Sequence, residues 1–222
     1  MKKYRLALFD LDGTVADTAR DMVGALNHLL KEDSRPAIPF EELRPQVSNG
    51  TPALIRAGFG CSPGESGFEE LRSRFLDRYE KNLCVHTELF PGMPSILNRC
   101  IESGMLWGIV TNKPEYLTLE LMDELGLSKN VACVIGGDSL PERKPHPLPV
   151  THACKLAQTA PDNCIFIGDS SRDIEAGRAA GVQTLAVTYG YIPPGDDPMS
   201  WGADFIVDSV SQIQSILWGS SS

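Results

Sequence analysis

The chain has 222 residues, 42% hydrophobic and 22% charged, with a formal net charge of −9. This composition suits one or two globular units with a sizeable core, and it excludes disordered and collagen-like classes. An acidic chain repels nucleic-acid backbones and anionic lipid at long range, and its densest basic stretch, Arg72 to Lys81, is interleaved with acids. Neither nucleic acid nor a membrane is therefore an expected partner, whereas a small anion could bind where the site supplies a cation.

No apolar run approaches the roughly 20 residues that cross a bilayer. The start Met1-Lys2-Lys3-Tyr4-Arg5 is basic like a secretion signal, but Asp10 ends the apolar stretch Leu6 to Phe9 too early for one. The expectation is a cytoplasmic monomer or homodimer. Cys61, Cys84, Cys100, Cys133, Cys154 and Cys164 show no CxxC pair and read as reduced, mostly buried small hydrophobes.

Along the chain, Tyr4 to Phe9 reads as a buried parallel strand cut off by Asp-Leu-Asp-Gly. Asp17-Thr18 offers a helix N-cap, and Met22, Leu26, Leu29 and Leu30 follow at helical spacing. Helices are expected over 40–47, 52–59 and 68–83, with no strand between 35 and 87. After Phe90-Pro91-Gly92 the texture becomes alternating. Helices are predicted over 93–103, 115–125, 146–158 and 171–180, and strands over 105–110, 131–135, 164–167, 183–187 and 204–207, with a last helix behind them. This order predicts an α/β fold: a doubly wound, Rossmann-like parallel sheet built from residues 1–17 and 88–222, with a helical cap inserted at 18–87.

In such sheets ligands bind beyond the carboxyl ends of the strands. The first strand ends in Asp10-Leu11-Asp12-Gly13-Thr14. Two carboxylates at this spacing repel one another unless a cation compensates, and oxygen-rich sets suit Mg²⁺. Taken alone, the segment is equally an Asp-Gly turn. Thr111-Asn112-Lys113-Pro114 ends another strand, where hydroxyl and amide can donate to an anion or simply cap a helix. Gly168-Asp169-Ser170-Ser171-Arg172-Asp173 brings a second acidic pair, and Lys144 stands between prolines after the strand ending at Ile135. Each segment has an ordinary structural explanation. Together, on one edge of a parallel sheet, they describe Mg²⁺ held by acids and a phosphoryl group held by Thr111 and Lys144, with one Asp left to attack. Zinc spacing among the four histidines, a nucleophile elbow and a P-loop are all missing from the sequence.

In order and spacing these four segments resemble the motifs of the haloacid dehalogenase superfamily, over the whole chain. Thr111-Asn112-Lys113-Pro114, Ile135-Gly136-Gly137-Asp138 and Lys144-Pro145-His146-Pro147 are most similar to its phosphoglycolate phosphatases. Val85-His86-Thr87 and Trp201-Gly202-Ala203-Asp204 resemble the related N-acetylmuramic acid 6-phosphate phosphatases. The resemblance implies a Mg²⁺-dependent phosphatase acting on a small phosphate ester, with 2-phosphoglycolate first and the sugar phosphate as the alternative. It implies Asp10 as nucleophile and Asp12 as proton donor and base. It further implies Mg²⁺ on the Asp10 side chain, the Asp12 backbone carbonyl and Asp169, with Asp173 auxiliary. Thr111, Asn112 and Lys144 would hold the phosphoryl group. A catalytically silent binding module on this fold is the alternative of another class. Substrate choice is expected in the cap, at the polar turn Ser48-Asn49-Gly50-Thr51 between two helices and at Arg56, each of which is also explained as plain turn or surface.

Overall fold

The computed structural model describes residues 4–219. Six parallel strands form one sheet: β1 (Leu6–Phe9), β4 (Leu106–Val110), β5 (Cys133–Ile135), β6 (Cys164–Gly168), β7 (Gln183–Val187) and β8 (Phe205–Val207), in the order β5-β4-β1-β6-β7-β8. The strands alternate sides. Ala7 and Phe9 join the larger apolar core with Ile109, Ile165 and Ile167, while Leu6 and Leu8 join a second core on the opposite face. Helices α5 (Met93–Glu102), α6 (Glu115–Glu124) and α9 (Val210–Trp218) bury Ile96, Leu121 and Ile213 in the first core. Helices α7 (Leu148–Leu156) and α8 (Ser171–Ala179) bury Val150 and Ala176 in the second. The result is the expected doubly wound, three-layer arrangement.

Between β1 and α5 lies a helical segment: α1 (Ala19–Glu32), α2 (Phe40–Leu43), α3 (Gly50–Phe59) and α4 (Phe68–Glu80). Leu26, Leu29, Leu54 and Phe75 fill its interior, continuous with the larger core of the sheet. A two-stranded antiparallel ribbon, β2 (Ala16–Asp17) with β3 (Glu88–Leu89), joins the chain entering this segment to the chain leaving it. The ribbon is absent from the sequence-based expectation, because two residues a side carry no periodicity.

Two helix boundaries and one cap differ for identifiable reasons. The helix expected over 40–47 stops at Leu43 and continues as a 3-10 helix, Arg44–Asn49. Pro45 has no N–H to offer the carbonyl four residues back, so the turn tightens. Ser48 to Thr51 consequently form a helix-to-helix junction at Gly50 (φ 70°), rather than an open turn between helices. The helix expected from His146 begins at Leu148, with Pro147 at its N-cap and the His146 Nδ1 accepting from the Leu148 N–H (3.1 Å). Thr18 sits at the N-cap of α1 but makes no side-chain cap bond there. Instead the Tyr191 hydroxyl, reaching in from the loop after β7, accepts from the N–H groups of Thr18 (2.7 Å) and Ala19 (3.0 Å) and donates to Asp17 (2.7 Å).

Candidate active site

Register places the motif residues side by side. Phe9 pairs with Ile109 on one side and Ile167 on the other, so Asp10 emerges level with Val110 and Gly168. Thr111 and Asp169 are the next residues of those flanking strands. The turn after Asp12 is closed by Gly13 (φ 84°), where a Cβ would run into the Asp169 carboxylate. A side chain here would be both strained and in collision, so glycine is required.

Asp10, Asp169 and Asp173 are all buried, and one oxygen from each lies within 4.8 Å of the others. Lys144 enters from the β5–α7 loop with its side chain 3% exposed. Its Nζ lies 2.9 Å from Asp10 Oδ1 and 2.6 Å from Asp173 Oδ1, and donates to the Val110 carbonyl at 2.8 Å. Burial alone would lower the Lys144 pKa, but Asp10 and Asp173 prevail and raise it, so it stays charged. Asp169 is pushed up to about 8, by burial first and then by the charges of Asp10 and Asp173. Two hydrogen bonds work against that rise, from the Ser48 hydroxyl (2.6 Å) and the Tyr191 N–H (2.8 Å). Asp173 is pushed up to about 6 by burial, with Lys144 opposing. Asp173 also serves α8 directly, since its carboxylate accepts from the Ser170 N–H (3.1 Å) in a capping box.

Three carboxylates and one ammonium leave a formal charge of −3 + 1 = −2 in a buried, all-oxygen donor set. A divalent hard cation fits that set in charge and donor type.

Asp12 stands apart, paired with Lys113, whose Nζ lies 3.2 Å from Asp12 Oδ1. Lys113 also donates to the Tyr79 hydroxyl (2.7 Å) on α4 and sits 4.3 Å from that ring's centroid. Its pKa is lowered, by burial first, with Asp12 opposing. The Asn112 side chain braces the Lys144 loop, donating to the Lys144 carbonyl (2.9 Å) and accepting from its N–H (3.1 Å). Thr111 is buried at the end of β4, its hydroxyl accepting a long bond from the Lys113 N–H (3.3 Å).

Above these groups lies a cavity of about 310 Å³, lined among others by Asp10, Asp12, Thr111, Asn112, Lys144, Asn49, Gly50 and Thr51. Asp169 and Asp173 lie outside its lining. Arg56 is not brought to the cavity: α3 turns Leu54 and Ile55 inward and leaves Arg56 exposed. Arg72, Lys113, Arg143 and Arg172 also line the cavity. Sequence reasoning gave none of these four a role. Arg172 ties the two halves of the site together, donating to the Asn49 side chain (3.0 Å) and to the Ser48 carbonyl. Only its position between two motif acids marks it in the sequence. An acidic chain thus concentrates cations around one pocket.

A family model described as haloacid dehalogenase-like hydrolase matches residues 7–187. The chain belongs to the haloacid dehalogenase-like hydrolases. Relatives cover it almost end to end. An N-acetylmuramic acid 6-phosphate phosphatase of Pseudomonas putida is 40% identical over 97% of this chain and 96% of its own. A phosphoglycolate phosphatase of Xanthomonas campestris is 43% identical over 96% of both. Among solved structures, one described as a predicted phosphoglycolate phosphatase from Haemophilus somnus superposes with a TM-score of 0.86 at 29% identity, covering 97% of this chain and 99% of that one. Among the described residues no helix is long and apolar enough to cross a membrane.

Proposed function

We propose that this hydrolase cleaves a small phosphate monoester through an aspartyl-phosphate on Asp10, with Mg²⁺ held by Asp10, Asp169, Asp173 and the Asp12 backbone carbonyl. The observation that carries the reading is the buried acid cluster, formally −2 with Lys144, beneath a cation-lined cavity. When bound there, Mg²⁺ supplies the positive charge that lets a dianionic phosphoryl group approach an anionic nucleophile.

The chain's own residues do the rest. Asp10 Oδ1 is pinned by the Leu11 N–H (2.8 Å) and by Lys144. Among the described residues no hydrogen bond reaches Oδ2, which leaves the carboxylate one oxygen for attack. Covalent capture divides one hard displacement into two easier ones. Asp12 gives its proton to the leaving alkoxide and then takes one from the attacking water. Lys144, Thr111 and the Asn112 N–H stabilise the charge on the transferring group. The helical segment, residues 18–87, serves as a cap over the site, with Ser48 and Asn49 held to the core through Asp169 and Arg172.

The substrate class is a phosphate monoester whose alcohol carries a carboxylate. Arg72 and Arg143 line the cavity and are exposed, Arg72 in a loose surface pair with Glu69 (3.7 Å), whereas Arg172 is committed to Ser48 and Asn49. The substrates named in the two relatives, phosphoglycolate and N-acetylmuramic acid 6-phosphate, both meet this description. The sequence motifs weight the first. The cavity, about 310 Å³, matches the lower end of the roughly 300–1,000 Å³ that encloses a drug-sized ligand. A two-carbon ester leaves much of that space unfilled, which weights the bulkier sugar ester. Comparing kcat/KM for the two with Mg²⁺ decides between them. A ratio above ~100, about 2.7 kcal/mol of transition-state discrimination, eliminates the loser. Failure of both esters, and of aryl phosphates, would refute the phosphatase reading.

A further inference from the structure

We propose that Lys113 and Tyr79 form a positioning pair that holds the Asp12 carboxylate for proton transfer to the leaving oxygen, so that this step depends on the helical segment; the proposal rests on the reading of Asp12 as proton donor given above.

The geometry is specific. Among the described residues, Lys113 is the sole hydrogen-bond partner of the Asp12 side chain, through Oδ1 at 3.2 Å. Asp12 Oδ2 carries no bond, which leaves it for a leaving oxygen in the cavity that Asp12 lines. Lys113 is itself constrained. An ammonium removed from water must be paired and its N–H groups satisfied. Here one N–H goes to Asp12 and another to the Tyr79 hydroxyl, 2.7 Å away, while the Tyr79 ring faces the ammonium from 4.3 Å. Tyr79 is 1% exposed and packs against Phe75, with ring centroids 6.1 Å apart, so its hydroxyl has little freedom to wander.

Contacts separate this pair from the acid cluster. Lys144 pairs with Asp10 and Asp173, while Lys113 pairs with Asp12 alone. The pair also links distant parts of the chain. Asp12 and Lys113 belong to strand ends of the sheet, whereas Tyr79 lies on α4 of the helical segment. Any movement of α4 away from the sheet takes the hydroxyl from Lys113, and Lys113 then loses the contact that aims it at Asp12. The proton donor is thereby fully aligned only when α4 is seated.

A different role for Lys113 would be to hold the phosphoryl group itself, and leaving-group dependence separates the two. An alkoxide needs a proton as it departs, and a nitrophenolate does not. Damage to a proton donor therefore grows with the basicity of the leaving group, whereas damage to phosphate binding strikes all esters alike. The experiment measures kcat/KM with saturating Mg²⁺ for p-nitrophenyl, phenyl and methyl phosphate, in the parent and in D12N, K113M and Y79F, with melting temperatures alongside.

For K113M we expect a loss under about fivefold on the nitrophenyl ester, growing to about 10²-fold on the methyl ester, within the range general acids contribute. Y79F should follow the same trend at about tenfold on the methyl ester, and D12N should exceed both. The K113M/Y79F double variant should be no worse than K113M, because Tyr79 acts through Lys113. Equal losses on all three esters in K113M and Y79F, beside a steep trend in D12N, would overturn the proposal. A flat trend in D12N would overturn the reading of Asp12 beneath it. Should K113M fail to fold, Y79F decides alone, since it keeps the ring and removes only the hydroxyl.

Discussion

Replacing Lys144 with Ala removes, among the described residues, the one cation in ion-pair contact with the buried acid cluster. Asp10, Asp169 and Asp173 then crowd within 4.8 Å with hydrogen bonds but no cation in contact, among the described residues. Breaking one partner out of a buried ion pair costs about 3–5 kcal/mol. Set against a total stability of roughly 5–15 kcal/mol for a domain, that leaves the metal-free variant near the edge of folding. The deficit has a definite pH dependence. In the parent, Asp173 is pushed up to about 6 and Asp169 up to about 8, both above the ~3.9 of an unfolded chain. A carboxyl whose folded pKa is raised contributes stability that is fully present below its unfolded value and is lost as pH rises through the folded one. The cost of K144A should therefore be largest near pH ~8 and shrink toward pH ~5, where protons take over the role of the lysine. Urea unfolding in EDTA at those two pH values measures it, and excess Mg²⁺ at the higher pH should restore much of the loss. Activity with Mg²⁺ should fall in kcat more than in KM, because Lys144 faces the charge that develops in transfer. A variant as stable as the parent at pH ~8 without metal, or equally weakened at both pH values, would refute the claim that Lys144 holds the cluster together.

Mg²⁺ affinity should rise about tenfold per pH unit between pH ~6 and pH ~8, where binding expels the Asp169 proton, and level off above it; calorimetric titration across that range would show the slope, and a flat profile would contradict it. Ca²⁺ should bind but support little turnover, because its longer bonds and higher coordination displace Asp10 from its attacking position; turnover in Ca²⁺ at the Mg²⁺ rate would refute this. Asp21, buried on α1, accepts from the N–H groups of His86 and Thr87 and from the Thr87 hydroxyl, all within 3.1 Å. Asp21→Ala orphans these donors and should destabilise the protein by about 2–4 kcal/mol in chemical denaturation.

Much of this site was legible because its chemistry sits at strand ends. Asp10, Thr111 and Asp169 each follow a short apolar run, and a parallel sheet gathers such positions on one edge; Lys144 reaches that edge from the loop after β5. What was not legible are relations between segments. Nothing near Lys113 in the sequence points to Tyr79, which lies in another helix and meets it only through tertiary packing. The Tyr191 hydroxyl that caps α1 is equally remote; of the Asp17-Thr18 pair that the sequence offers as N-cap, Asp17 contributes only a long bond from the Ala19 N–H (3.4 Å) and Thr18 none. Arg56 reads in the sequence as a cap cation that could meet a substrate carboxylate. The helical period that buries Leu54 and Ile55 carries it to the outside, and Arg72, on α4, lines the cavity instead.

The central claim is a covalent phosphoryl group on Asp10. Acid-quenching the enzyme during turnover and reducing it with borohydride converts an aspartyl-phosphate to homoserine, which mass spectrometry of the digest can place. We expect that conversion at Asp10, dependent on substrate and Mg²⁺ and absent from D10N. Phosphate release that proceeds with Asp10 unmodified, or a phosphoryl group on any other residue, would contradict it.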